Sequence, residues 1–352
     1  MAPLTRSRST QPDSIPGDLM KDYYQQRASD GGLIITEATN ISLTSRGWLG
    51  APGLYSDQQV QGWKQIVTAV QAKGGLMFAQ LWHTGRSSHT AMTGGAVPVS
   101  ASVNPQYWQH PNHLVSIPGG WVQPSPHRAI SVAEIGEIVQ DYRRAAERAM
   151  DAGFNGVELH SANGYLVDQF LQNGSNKRTD EYGGSIENRI RFLSEIVSAL
   201  ISVWGAGRVA VRIGPNGTWN GIADSDPKAL FSYVAERLNQ FELAYLHLIE
   251  PRIAGSDLVD ASQGPVAAEW LRPIFKGKLI SAGGFEPDTA EAAVAAGTLD
   301  AVAFGRYFVS NPDLPRRIKE GLSLAKYDRD TFYTFDSLGY TDYPAYDTVL
   351  VA

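Results

Sequence analysis

Short apolar runs rich in β-branched and aromatic residues alternate along the chain with longer amphipathic stretches. The runs are GGLIITEA (31–38), GLMFAQLW (75–82), FNGVELH (154–160), RVAVRIG (208–214), LAYLHLIE (243–250), KLISAGG (278–284) and DAVAFGR (300–306). Between them, apolar residues recur at helical spacing over Asp57–Ala72, Val132–Ala152, Ile186–Trp204, Pro227–Gln240, Pro265–Phe275 and Glu286–Ala296. Capping residues open several of these stretches: Ser56, Ser131 with Glu134 three positions on, and Ser185. Strands that are apolar almost throughout, rather than alternating, belong to a parallel sheet covered on both faces. MAPLT (1–5), ahead of a helix over Asp18–Ser29, reads as the tail of an eighth strand. Eight βα units in one chain predict a closed (β/α)8 TIM barrel of the α/β class, with an open doubly wound sheet as the competing architecture.

No composition break or Pro/Ser-rich linker interrupts the pattern, so residues 1–352 are expected to form a single barrel domain. Residues 84–130 and 215–226 then become long loops at the C-terminal mouth, and the aromatic-rich segment 326–352 folds back over it. A formal charge of −6 gives no basis for binding nucleic acid or an anionic membrane. No apolar run approaches the ~20 residues of a membrane helix, and the N-terminus lacks a secretory h-region, so a cytoplasmic protein is expected. With no cysteine, disulfides, thiolate metal sites and a cysteine nucleophile are excluded. No metal site is expected.

The C-terminal ends of the strands carry the polar groups. Thr5 follows strand one, Gln80 and Trp82 follow strand three, His160 ends strand four, and Arg212 lies inside the apolar strand five. SAGG (281–284) and FGR (304–306) follow the last two strands, where such barrels often bind phosphate through glycine N–H groups, here with Arg306 beside them. The same glycines would also serve tight strand-to-helix turns. Arg212 is costly in an apolar strand unless it meets an anion, either a bound ligand or a structural carboxylate. His160, Asn163 and Tyr165 crowd into six residues where a strand ends. Taken alone, HSANGY also suits a capped turn.

The stretch HSANGYLVDQFLQNGSNKRTDEYGGSIENR (160–189) resembles the signature of the Old Yellow Enzyme family of FMN-dependent ene-reductases. MAPLTRSRS, FAQLWHTGR, VRIGP, LIEPR, ISAGGF, FGRYFVSNPDL and YDRDTFY with GYTDYP are similar in the same order, so the resemblance spans essentially the whole chain. It implies a (β/α)8 barrel flavoprotein with non-covalent FMN at its mouth and NADPH or NADH as hydride donor. By the resemblance, Pro3, Leu4 and Thr5 line the flavin, Thr5 near its O4. Ala38 approaches the ring edge, Gln80 bonds the pyrimidine portion, and Arg212 faces N1 and the C2 carbonyl. Gly283, Gly284, Gly305 and Arg306 hold the phosphate. His160 and Asn163 donate to the substrate carbonyl oxygen as in an oxyanion hole, and Tyr165 protonates the α-carbon while hydride from flavin N5 reaches the β-carbon. Trp82 and Tyr333 shape the substrate pocket or merely pack the core. The implied partner is a small enone or related electron-poor molecule, and the implied state a monomer or homodimer.

Family members usually begin some two dozen residues earlier, with a hairpin over the barrel floor and a full first strand. The expectation here is therefore a truncated first strand, a partly open barrel bottom, an exposed edge beside strand one and lower stability. Asn163 stands where some relatives carry histidine, and Thr5 where one subgroup carries cysteine. On the same site, nitrate esters, nitroaromatics or N-ethylmaleimide are alternative substrates. A flavin-free isomerase or aldolase barrel is the rival of another class. It needs a catalytic lysine or carboxylate at a strand end, and Glu37 and Glu158 are its candidates. A flavin-binding protein without activity is a further rival.

Overall fold

A computed structural model describes residues 1–251, 253–254, 257–258 and 266–349. A parallel ladder runs in chain order through β1 (Leu33–Ile35), β2 (Leu76–Trp82), β3 (Gly156–Ser161), β4 (Val209–Ile213), β5 (Tyr245–Ile249), β6 (Leu279–Ala282) and β7 (Ala301–Val302). Residues 1 and 2 close the ring. The Met1 amino group donates to Leu33 O at 2.6 Å, Ile35 N donates to Met1 O at 3.1 Å, and Ala2 N donates to Phe304 O at 2.8 Å. The start of the chain thus lies between β1 and β7 and completes the (β/α)8 barrel. The exposed edge expected beside strand one is absent, because its backbone groups bond on both sides.

The strands are apolar for two different reasons on their two faces. Outward residues such as Val157, Leu159, Val211, Leu246 and Leu248 are buried beneath helices, against Ile135, Phe192, Leu193 and Leu230. Inward residues form layers, since side chains alternate along a strand. Ile35, Phe78, Ala210 and Tyr245 make one apolar layer. Above it sit Gln80, Glu158 and His247, and above those Trp82, His160 and Arg212, with Gln80 in register with Glu158, and Arg212 with both His160 and His247. Polar groups are thereby hidden inside strands that read as hydrophobic.

The helices follow the sequence pattern with trimmed ends: Asp57–Gln71, Val132–Asp151, Pro227–Leu238, Val266–Leu271 and Pro287–Ala295. Ser131 and Glu134 form the expected reciprocal capping box, at 3.3 Å and 2.9 Å. The stretch 186–204 divides into Ile186–Arg189 and Arg191–Trp204 about Ile190, whose backbone stays helical. Glu286 caps its helix rather than joining it, because Pro287 takes the first turn. Within 84–130 the chain forms a short helix, Pro105–Gln109, and an antiparallel hairpin, Val115–Ile117 with Gly120–Val122, neither of which the sequence pattern predicted. Arg6 and Arg8 bind the backbone of the C-terminal segment, donating to carbonyls of Thr331, Phe332, Asp336, Leu338 and Gly339. Residues 350–352 of that segment, Arg252 of LIEPR and Pro265 at the predicted helix start lie outside the described residues.

Candidate active site

A cavity of about 510 Å³ opens at the C-terminal ends of the strands. The strand-end residues that the family resemblance assigned to flavin and substrate all line it. Pro3, Leu4, Thr5, Ala38, Gln80, Trp82 and Arg212 line it with His160, Asn163, Tyr165 and Tyr333, and so do Gly283, Gly284, Gly305 and Arg306.

The turn after β3 sets the donors. Asn163 and Gly164 are both left-handed, with φ of 58° and 71°. Asparagine tolerates that region better than most side chains, and glycine does so freely. The Ala162 amide donates to His160 Nδ1 at 3.3 Å, so the ring proton sits on Nε2. Burial, reinforced by Arg212 and His247, holds the His160 pKa well below the usual histidine range, so the ring is a neutral donor. The Asn163 carboxamide has no hydrogen-bond partner among the described residues, which leaves it for a ligand. Tyr165 stands edge-on to both rings, 5.2 Å from His160 and 4.8 Å from Trp82. Burial, with Tyr333 and Tyr107 nearby, raises its pKa above that of a free phenol, so it enters any reaction protonated.

Beneath the donors, Gln80 Nε2 donates to Glu158 Oε1 at 2.7 Å, and His247 Nδ1 pairs with Glu158 Oε2 at 2.9 Å. Burial opposes ionisation of Glu158, but His247, Arg212 and Gln80 outweigh it and hold the carboxyl below its usual pKa. This carboxylate balances Arg212. It is committed to the barrel interior and does not line the cavity. Glu37 is likewise occupied, accepting from Arg6 N and Ser7 N at 3.1 Å each. Both candidates for an isomerase or aldolase are therefore structural, a correction to the rival reading.

Trp48, Trp121, Trp219, Asn220 and Asn112 also line the cavity; all but Trp48 fall in the expected mouth loops 84–130 and 215–226, and nothing further in the sequence marked them. Trp48 packs edge-on to Trp121 at 5.1 Å and lies tilted against Tyr333 at 5.4 Å. That end of the cavity is thus walled by aromatics. Trp82 both packs and lines: it is 1% exposed, clustered with Ala38, Ala51 and Tyr165.

The lining fits FMN. Arg212 Nε is buried without a protein partner, as a guanidinium awaiting an electron-rich ring edge would be. At the far end Gly283 and Gly284 have φ of 125° and 65°, and a Cβ on Gly283 would come within 3.3 Å of Glu250 backbone atoms. The turn can therefore present bare N–H groups, and Arg306 beside it makes no ion pair among the described residues. Its guanidinium lies 5.6 Å from the Tyr327 ring. A cavity with an unpartnered guanidinium N–H at one end and a glycine cradle with a second cation at the other suits a planar, electron-rich cofactor carrying a phosphate, as a flavin mononucleotide is.

Comparison with known proteins agrees. Residues 1–325 match the NADH:flavin oxidoreductase / NADH oxidase family. 12-Oxophytodienoate reductase 2 of Arabidopsis thaliana is 43% identical over 350 residues, 99% of this chain and 91% of that protein. Morphinone reductase, solved also in complex with tetrahydroNAD, superposes with a TM-score of 0.91 at 46% identity over 99% of this chain and 92% of that one. The Old Yellow Enzyme homologue from Zymomonas mobilis gives 0.90 at 41% identity over 98% and 94%. The chain belongs to this family, that of the Old Yellow Enzymes. It is an FMN-dependent oxidoreductase that takes hydride from a reduced nicotinamide and reduces activated C=C bonds. No helix among the described residues is long and apolar enough to cross a membrane.

One buried carboxyl beside the site gives a pH prediction. Asp168 accepts from Gly164 N at 2.9 Å and Gln172 Nε2 at 2.7 Å. Burial, with Asp224 adding to it, pushes its pKa up to about 7 against the pull of these donors and Arg86. The folded chain therefore holds this proton more tightly than the unfolded chain. The stability it contributes is full below the unfolded carboxyl pKa of about 4 and is lost as pH rises through about 7. Asp168→Asn removes that titration, so the melting temperature of the variant relative to the parent is expected to climb across that window. A difference that stays flat with pH would contradict the assignment.

Proposed function

We propose that His160 and Asn163 bind the carbonyl oxygen of an α,β-unsaturated substrate and that Tyr165 supplies the proton to its α-carbon. The observation carrying this reading is the neutral, Nε2-protonated His160 beside an unpartnered Asn163 carboxamide on the wall of the cavity, with a protonated Tyr165 edge-on to the imidazole. Two neutral donors aimed at one oxygen stabilise the charge that develops there as the β-carbon accepts hydride, and donors already held in place cost little reorganisation at that moment. FMN, when bound, supplies the hydride, drawn from the nicotinamide. Gln80, Arg212 and Thr5 would hold its ring system, and Gly283, Gly284, Gly305 and Arg306 its phosphate. Tyr165 holds its proton until the α-carbon becomes basic. Trp48, Trp82, Trp121 and Tyr333 exclude water and press a flat substrate against the ring.

Anaerobic stopped-flow mixing tests it in two steps. FMN-loaded protein is expected to bleach with NADH or NADPH and to regain its flavin absorbance with 2-cyclohexenone. Reoxidation by dioxygen alone, with no response to any enone, would overturn the proposal.

A further inference from the structure

The Asn163–Gly164 turn is held from outside its own element. Asn220, in the loop after β4, donates from Nδ2 to Asn163 O at 2.9 Å. It is itself left-handed, with φ of 58° and ψ of 30°. Its carbonyl and that of Gly221 both accept from Arg86, at 3.1 Å each. The Arg86 guanidinium lies 4.2 Å over the Tyr107 ring, and the residue is fully buried. On the other side of the turn, Asp168 accepts from Gly164 N, and Gln169 Nε2 donates to Gly164 O at 2.7 Å. Gln169 Oε1 accepts from Arg86 N at 3.3 Å, which ties the two sides together. A Cβ on Gly164 would lie 2.6 Å from Trp219 O and 2.7 Å from Asn220 Cβ, so the loop after β4 sits directly against the turn. The Asn220 side chain also reaches the Tyr165 hydroxyl.

An Asn-Gly pair adopts two consecutive positive-φ residues readily, so the contacts around this turn set its orientation rather than its shape. We propose that Asn220 is a positioning residue for the oxyanion donor Asn163: its bond to Asn163 O, anchored through Arg86, fixes the direction in which the Asn163 carboxamide points. Asp168 and Gln169 fix the opposite side of the same turn. The inference rests on the reading of Asn163 as a donor to the substrate oxygen.

A double-mutant cycle on FMN-loaded protein, read as the dissociation constant of p-hydroxybenzaldehyde, separates the two. Asn163→Ala alone is expected to weaken the phenol, and if it does not, the donor reading and this inference fall together. Given that loss, Asn220→Ala is expected to weaken the phenol about tenfold in the parent background and by less than about twofold in the Asn163→Ala background, with FMN affinity unchanged. Equal weakening in both backgrounds, as direct contact with the ligand or general loosening would give, overturns the inference while leaving the donor reading intact. So does no weakening in the parent. Asn220→Asp serves if the alanine variant does not fold. It keeps the size but replaces the donor to Asn163 O with an acceptor, and the same pattern is expected.

Discussion

Tyr165→Phe is expected to slow enone reduction by about a hundredfold or more while changing flavin reduction by the nicotinamide by less than about twofold. The asymmetry follows from what the hydroxyl does. Flavin reduction transfers hydride from the nicotinamide and asks nothing of a proton donor on the cavity wall. Enone reduction leaves a carbanion-like α-carbon that must be protonated where water is excluded by Trp48, Trp82 and Trp121. Phenylalanine keeps the edge-on packing against His160 and Trp82 and removes only the O–H. Because burial keeps the phenol protonated, the parent rate of the oxidative half-reaction is also expected to show no loss up to the pKa of a free phenol. Stopped-flow measurement of the two half-reactions checks both statements. Equal loss in both would remove the proton-donor role.

His160→Ala is expected to weaken binding of phenols, which mimic the enolate oxygen, by about tenfold to a hundredfold, the range for a hydrogen bond to a charged group. It should cut enone turnover by about a hundredfold, as loss of one oxyanion donor does elsewhere. A neutral imidazole carries no titration between mildly acid and mildly alkaline pH, so the weakening should be the same across that range, provided the phenol's own ionisation is allowed for. Titration of flavin absorbance with p-hydroxybenzaldehyde reads the affinity. Unchanged affinity would leave the site without its principal donor.

Much of this site was legible in the sequence because barrel geometry turns strand ends into neighbours. Gln80, His160 and Arg212 are far apart in the chain and adjacent in the sheet, and their polarity within apolar runs marked them. Other parts were illegible for physical reasons. Glu158 looked like a catalytic candidate, yet it points inward one layer below the cavity and is consumed by Gln80 and His247; the sequence gives parity along a strand but not depth. Trp48, Trp219 and Asn220 lie in connecting segments, and Trp121 in a three-residue strand, where no period fixes direction. The left-handed turn at Asn163 is held by residues from three separate segments, and only coordinates bring Arg86, Gln169 and Asn220 together. The hairpin Val115–Ile117 with Gly120–Val122 was missed because its strands are too short to show alternation.

The claim on which the account turns is that the cavity grips a carbonyl oxygen so that the adjacent C=C bond, and not the carbonyl itself, is reduced. Product NMR after turnover of 2-cyclohexenone with 4-deuterated nicotinamide in ordinary water tests this most directly. The expected product is cyclohexanone with deuterium on the β-carbon and solvent hydrogen on the α-carbon. Deuterium on the carbinol carbon of an allylic alcohol would contradict it.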